Sequence, residues 1–160
     1  HEGMFKPYNV ASMGGAFESS FGDVIAFVDS NYRTIKKSSG RAIAGLSMGG
    51  FHSYHISANM PKTFDYVGLF SAAIMPREGV SSPIYENMDQ KLATLFGNNP
   101  KLYYIAIGKT DFLFETNVEL RQRLDAAGYP YIYNQSEGGH TWRNWRDYLV
   151  DFAPRLFTRP

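Results

Sequence analysis

Four short apolar runs alternate along the chain with longer stretches whose apolar residues recur at three and four, and no other feature constrains the fold as much. The runs are 41–46 (RAIAGL), 65–72 (DYVGLFSA), 102–108 (LYYIAIG) and 131–135 (YIYNQ). Phe17, Phe21, Val24, Ile25, Val28 and Tyr32 predict an amphipathic helix over 17–32, and 48–59 reads as a second helix, ended by Pro61. Further helices are predicted over 84–97 and 116–128, each with a glycine at its end, and from about Trp142 onward. Residues 1–15 read as loop, as does the stretch holding Pro76, Gly79 and Pro83. Strands separated by helices of this length pair in parallel through right-handed crossovers, with helices on both faces. The expected fold class is therefore α/β, a three-layer sandwich on a predominantly parallel sheet. No repeat or linker interrupts it, so 1–160 reads as a single domain. Ligands of such sheets lie beyond the C-terminal strand ends, which directs the search to the loops opening at Ser47, Ser71, Lys109 and Ser136.

Composition removes several classes of function. Sixteen basic and fifteen acidic side chains leave a net charge of +1, with no basic face for nucleic acid. Cysteine is absent, which excludes disulfide frameworks and thiolate metal sites. No apolar run is long enough to span a membrane. Eleven Tyr and twelve Phe suit a surface that stacks on sugar rings or aromatic acids, and equally a packed aromatic core.

The first apolar run drives into Gly45-Leu46-Ser47-Met48-Gly49, a GxSxG pattern set between a strand and a helix. That setting gives each residue a reason. A nucleophile on so tight a turn is held in a strained backbone conformation, and the flanking positions, Gly45 and Gly49, are expected to be small because a side chain would strike the neighbouring strand or helix. The turn lifts the Ser47 hydroxyl clear of the sheet. It also places the Met48 N–H at a helix N-terminus, where the dipole favours a developing oxyanion.

A serine hydroxyl needs a base to attack. His1 is terminal, and His52 and His55 lie on the helix leaving the turn, so they read as packing or surface histidines. His140, in SEGGHTW, follows the last strand, with Gly138 and Gly139 free to aim its ring. The base in turn needs a carboxylate to fix its tautomer. Asp111, in GKTDF, follows the third strand at the correct end of the sheet, whereas Asp65 precedes its strand and Asp89, Asp125, Asp147 and Asp151 fall within helices. Glu137 is the reserve candidate. The order Ser47, Asp111, His140 is that of the α/β-hydrolases rather than of the chymotrypsin or subtilisin folds.

Together RAIAGLSMGGFHS, FDYVGLFSAAI, GKTDFLFETN and SEGGHTWRNWRDYL resemble the carbohydrate esterase family 1 branch of the α/β-hydrolases, the feruloyl and acetylxylan esterases. The likeness runs from about Phe17 to Phe157. It implies a nucleophile at Ser47, an acid at Asp111, a base at His140, an oxyanion donor at the Met48 N–H, no metal or organic cofactor, and feruloylated or acetylated xylan as substrate. Phe51, Phe112, Trp142 and Trp145 neighbour these residues in sequence and are candidate walls of an aromatic acyl pocket. The two tryptophans could equally lock the last helix against the sheet.

The resemblance also implies about eight strands, with a second oxyanion N–H supplied from upstream of the elbow, against four predicted strands here. The run 41–46 is then expected at an exposed sheet edge, completed by an upstream segment of the same gene product or by a separate chain. A polymer substrate implies a secreted or periplasmic protein whose signal peptide lies in that upstream segment. Two other readings remain at this level: an esterase, thioesterase or acyltransferase of different acyl specificity, and a hydrolase-like binding module without activity.

Overall fold

The structure, a computed structural model, describes residues 13–76 and 78–158. Of the loop expected over 1–15, residues 1–12 lie outside them. Four strands, β1 (Ala42–Leu46), β2 (Tyr66–Phe70), β3 (Leu102–Gly108) and β4 (Ile132–Ser136), form one sheet in the order β1-β2-β3-β4. Every pairing is parallel, as alternation with helices requires. Among the described residues six α-helices accompany them: α1 (Ala16–Ser19), α2 (Phe21–Asn31), α3 (Met48–Asn59), α4 (Met88–Gly97), α5 (Phe114–Ala126) and α6 (Trp142–Phe152).

Side chains alternate across a strand, and β3 shows how the two faces are filled. Tyr103 and Ile105 join Val67, Leu69, Leu92, Leu95, Leu120 and Leu124 in one core, against which α2 also packs through Phe21 and Ile25. Leu102, Tyr104 and Ala106 face the other way and meet Tyr148 and Phe152 of α6. Three layers result. The central strands β2 and β3 are buried along their whole length. The near-continuous apolar runs of these two strands follow from being covered on both faces.

Register sets the site. Leu46 pairs with Phe70, Phe70 with Ala106, and Gly108 with Ser136, so the C-terminal ends of the strands line up along one edge of the sheet. The loops that begin at Ser47, Lys109 and at the end of β4 therefore emerge together.

Most boundaries fall within two residues of the sequence expectation, and two differ by more. The first helix is broken at Ser20 rather than continuous over 17–32. There the Ser19 hydroxyl donates to Gly15 O at 2.7 Å and the Ser20 hydroxyl to Ala16 O at 2.8 Å, so side chains compete with the backbone for the carbonyls of the first turn. The third predicted helix starts at Met88 rather than at 84, because Asn87 takes the left-handed region (φ 54°) and Tyr85 is drawn to Glu18, to which its hydroxyl donates at 3.2 Å. As expected, β1 lies at a sheet edge: Ala44 is exposed, and among the described residues no strand pairs with its outer side.

Candidate active site

Ser47 sits between the last residue of β1 and the first of α3 with φ 53° and ψ −116°, a conformation that costs a non-glycine residue about 1–3 kcal/mol. Its surroundings hold it there. The Ser47 N–H donates to Phe70 O at 2.9 Å, and its carbonyl accepts from the N–H groups of Ala73 and Phe51, each at 3.1 Å. A Cβ on Gly45 would stand 2.2 Å from the Gly49 carbonyl oxygen, so position 45 admits only glycine. The expectation for Gly49 fails: a Cβ there meets nothing within 4 Å, and the close approach falls on Gly50, where it would stand 2.5 Å from the Ala72 Cβ. One step along the helix turns the side-chain direction by about 100°, which carries it from open space onto the segment after β2.

His140 reaches both partners named from the sequence. Its Nε2 lies 2.9 Å from Ser47 Oγ, and its Nδ1 lies 3.0 and 3.1 Å from the two carboxylate oxygens of Asp111. A carboxylate accepts only, so Nδ1 carries the proton when Asp111 is ionised, and Nε2 of the neutral ring is left as the acceptor facing the serine hydroxyl. The Asp111 side chain is fully buried, and Oδ1 also accepts the Leu113 N–H at 2.9 Å. Glu137, the reserve carboxylate, is instead largely exposed and paired with Lys109. Asp65 lies at the opposite end of the sheet, where its carbonyl accepts from Leu102 N–H. Met48 is the first residue of α3, at the positive end of the helix dipole.

The four aromatic candidates separate. The Phe112 ring is 75% exposed and lies 4.5 Å from the His140 ring, while the Trp145 ring meets His140 edge-on at 4.9 Å. Trp142 is 70% exposed and packs edge-on against Trp145. Both tryptophans line a cleft of about 250 Å³ with Leu46, Phe70 and Leu149. Phe51 is the correction: its side chain is wholly buried against His55 and Tyr85, one turn into a helix covered almost all round, so it is core and not pocket wall.

His1 lies outside the described residues, and the other two histidines have structural partners. His52 Nδ1 pairs with the buried Glu18 at 2.8 Å; burial opposes the charge on Glu18, and the bond from His52 nevertheless holds its carboxyl below the usual range. His55 is buried beside Ile74 O, and burial pushes it down to about 4.

Sequence reasoning missed the support of His140. Thr141 caps α6 by accepting the Asn144 N–H, and the Asn144 side chain turns back under the loop 136–141. The signal was present as Thr-x-x-Asn at the start of a helix, a relative of the capping box with Asn in place of Glu or Gln.

The chain is similar to known proteins over most of its length. It is 26% identical over 157 residues to an acetyl esterase of Caldicellulosiruptor saccharolyticus, covering 81% of this chain and 59% of that protein. It is 29% identical over 136 residues to an endo-1,4-beta-xylanase/feruloyl esterase of Xylanibacter ruminicola, covering 84% of this chain and 17% of that protein. Among solved structures, a CE1 ferulic acid esterase of the anaerobic fungus Anaeromyces mucronatus superposes with a TM-score of 0.75 at 20% identity, over 88% of this chain and 53% of that one. The chain thus spans less than two thirds of each, and the structural likeness establishes the α/β-hydrolase fold. The Esterase family model, described as "Putative esterase", matches residues 22–156, and the chain belongs to that family.

Proposed function

We propose that this chain carries the catalytic triad of a serine carboxylic-ester hydrolase that removes feruloyl or acetyl groups from xylan. The observation that carries the reading is His140 placed with Nε2 at 2.9 Å from Ser47 Oγ while Nδ1 holds Asp111. Ser47 Oγ bonds to the ester carbonyl carbon as His140 Nε2 takes its proton, and the buried Asp111 steadies the imidazolium. The Met48 N–H at the head of α3 stabilises the oxyanion. The tetrahedral adduct collapses as the C–O bond to the sugar breaks, and the alkoxide leaves with the proton from Nε2. Water then repeats the sequence on the acyl-enzyme and releases the acid.

The acyl group is argued from the rim. Phe112 and Trp142 are exposed aromatic faces beside the base, suited to an aromatic acid or a sugar ring. Likeness to proteins named acetyl esterase and xylanase/feruloyl esterase supports the same two acyl groups. We further propose that a segment upstream, in the same gene product or another chain, adds the second oxyanion donor and covers the outer edge of β1. Its support is apolar surface on both sides of that edge: Val24, Val28 and Ile35 on one, Trp142 and Leu149 on the other. A polymeric substrate places the protein outside the cytoplasm; no helix among the described residues is long and apolar enough to cross a membrane.

The deciding experiment is the initial rate on methyl ferulate beside p-nitrophenyl acetate, each corrected with Ser47→Ala. Turnover that disappears in the variant, with ferulate the better substrate, is expected. Acetate as the better substrate assigns the acetyl specificity, and absence of any Ser47-dependent rate, with or without the upstream segment, overturns the reading.

A further inference from the structure

A loop aims a ring only if something holds its backbone, and the loop carrying His140 is built of residues that do not stiffen it. Gly138 lies in the left-handed region (φ 81°) with Gly139 beside it. Two sets of bonds hold the loop instead. On one side it is zipped to the Asp111 loop, since the N–H groups of Lys109 and Thr110 donate to Ser136 O at 2.9 Å and Gly138 O at 3.0 Å. On the other side stands Asn144, in the first turn of α6 and 7% exposed.

The Asn144 amide spans the loop. Nδ2 donates to Glu137 O at 2.7 Å and to Ser136 Oγ at 2.9 Å, with the Tyr148 hydroxyl at 3.3 Å, while Oδ1 accepts the Thr141 hydroxyl at 2.7 Å. The Glu137 carbonyl can only accept, so the nitrogen end must face it, and the orientation of the amide follows from the network. Glu137 and Thr141 flank His140 in sequence, so one side chain grips the loop before and after the ring. The fit leaves no slack: a Cβ on Gly138 would lie 3.0 Å from Asn144 Oδ1.

We propose that Asn144 is a positioning residue for His140, locking the loop 136–141 so that the ring meets Ser47 and Asp111 at once. The inference rests on His140 being the base, as proposed above, and two measurements separate the claims. Histidine-selective ¹H–¹⁵N spectra of the chain report the ring of His140 whether or not the protein turns over ester. Steady-state kinetics on p-nitrophenyl acetate, normalised to sites titrated with a fluorophosphonate, report its function.

Asn144→Leu keeps the volume and removes the amide without adding charge. It should move the His140 ring signals and leave those of buried His55 in place. It should also lower kcat per titrated site by roughly 10- to 100-fold, the scale of an ångström of misplacement, with KM within about twofold. A merely structural residue would reduce the number of titrated sites and leave kcat per site alone. Unchanged His140 signals, or unchanged kcat per site, overturn the proposal. Wild-type protein that neither labels at Ser47 nor turns over, with or without the upstream segment, overturns the catalytic reading instead, and the spectra still judge Asn144. Should Asn144→Leu also shift His55, the fold has moved, and Thr141→Val, which removes the hydroxyl on Oδ1 and with it the α6 cap but leaves the amide, decides by the same criteria.

Discussion

Lowering the pH from 7 to 5 should destabilise this protein chiefly through one residue away from the triad. His55 is 1% exposed on α3, with Nε2 3.3 Å from Ile74 O and Nδ1 buried without a partner. Burial lowers it from 6.5 to about 4; Glu18 pulls the other way, while Lys91 and His52 add to the lowering. The unfolded chain therefore takes the proton first. The stability His55 contributes as a neutral ring is complete above the unfolded value and drains away as the pH falls toward the folded one. Weighing the two titrations gives a loss of about 2 kcal/mol between pH 7 and pH 5. For a chain of this size that lowers Tm by roughly 4–8 °C. Urea unfolding at both pH values, followed by tryptophan fluorescence, measures it in wild type and in His55→Gln, whose amide does not titrate. The variant should be less stable at pH 7 but lose about 2 kcal/mol less on acidification. Parallel losses in the two proteins, within about 0.5 kcal/mol, would refute the assignment. The Glu18 carboxyl, held low by His52, acts in a separate window, since its contribution is present above 4.5 and lost as the pH falls through its folded value.

The glycines of the elbow should divide in stability assays: Gly45→Ala costs at least about 1–3 kcal/mol through its clash with the Gly49 carbonyl, whereas Gly49→Ala, in open space within α3, is neutral or stabilising by up to about 1 kcal/mol. Equal effects of the two would mean that the elbow is not packed as described. Ser47→Gly should raise the urea midpoint by the equivalent of about 1 kcal/mol while abolishing ester turnover, because it releases the positive-φ strain together with the nucleophile; a fall in the midpoint would show that no strain is stored there. Phe51→Ala should cost about 3–5 kcal/mol, as a core truncation does, while Phe112→Ala should leave stability within about 0.5 kcal/mol and raise KM for aromatic esters relative to acetate.

The parts of this molecule that were legible in the sequence are those where one local pattern meets one physical demand. The runs 102–108 and 66–70 are apolar throughout because β2 and β3 are covered on both faces, and the strand-to-helix turn at Ser47 is legible because a strained turn restricts its neighbours. Asp111 and His140 followed from the end of the sheet on which their loops had to lie. Helix starts at Ser20 and Met88 were not legible, since each depends on a contact made elsewhere: hydroxyls returning to Gly15 and Ala16, and Tyr85 turning to Glu18. Phe51 was misplaced for a related reason. Nearness to Ser47 in sequence says nothing about which way a helical side chain points, and 100° per residue turns position 51 into the core while leaving position 49 open.

The way Ser47 is held bears on what the proposed upstream segment would have left to do. β1 has a single strand neighbour among the described residues, yet the elbow is fully specified from that side: Phe70 O takes the Ser47 N–H, the Ala73 N–H takes its carbonyl, and Gly45 and Gly50 seat against Gly49 and Ala72. The bonds from His140 to Ser47 and Asp111 likewise involve only loops that follow β1, β3 and β4. The proposed nucleophile, base and acid are thus positioned without anything beyond the outer edge of β1. What lies beyond that edge can alter the oxyanion site and the cover over Ala44, and a missing oxyanion donor costs about 10²–10³ in rate. The two demands separate in a single comparison. Adding the upstream segment should raise ester turnover per titrated site by about that factor while the histidine ring signals of His140 stay where they are, and a shift of those signals would mean that the triad itself is assembled by the segment rather than by this chain.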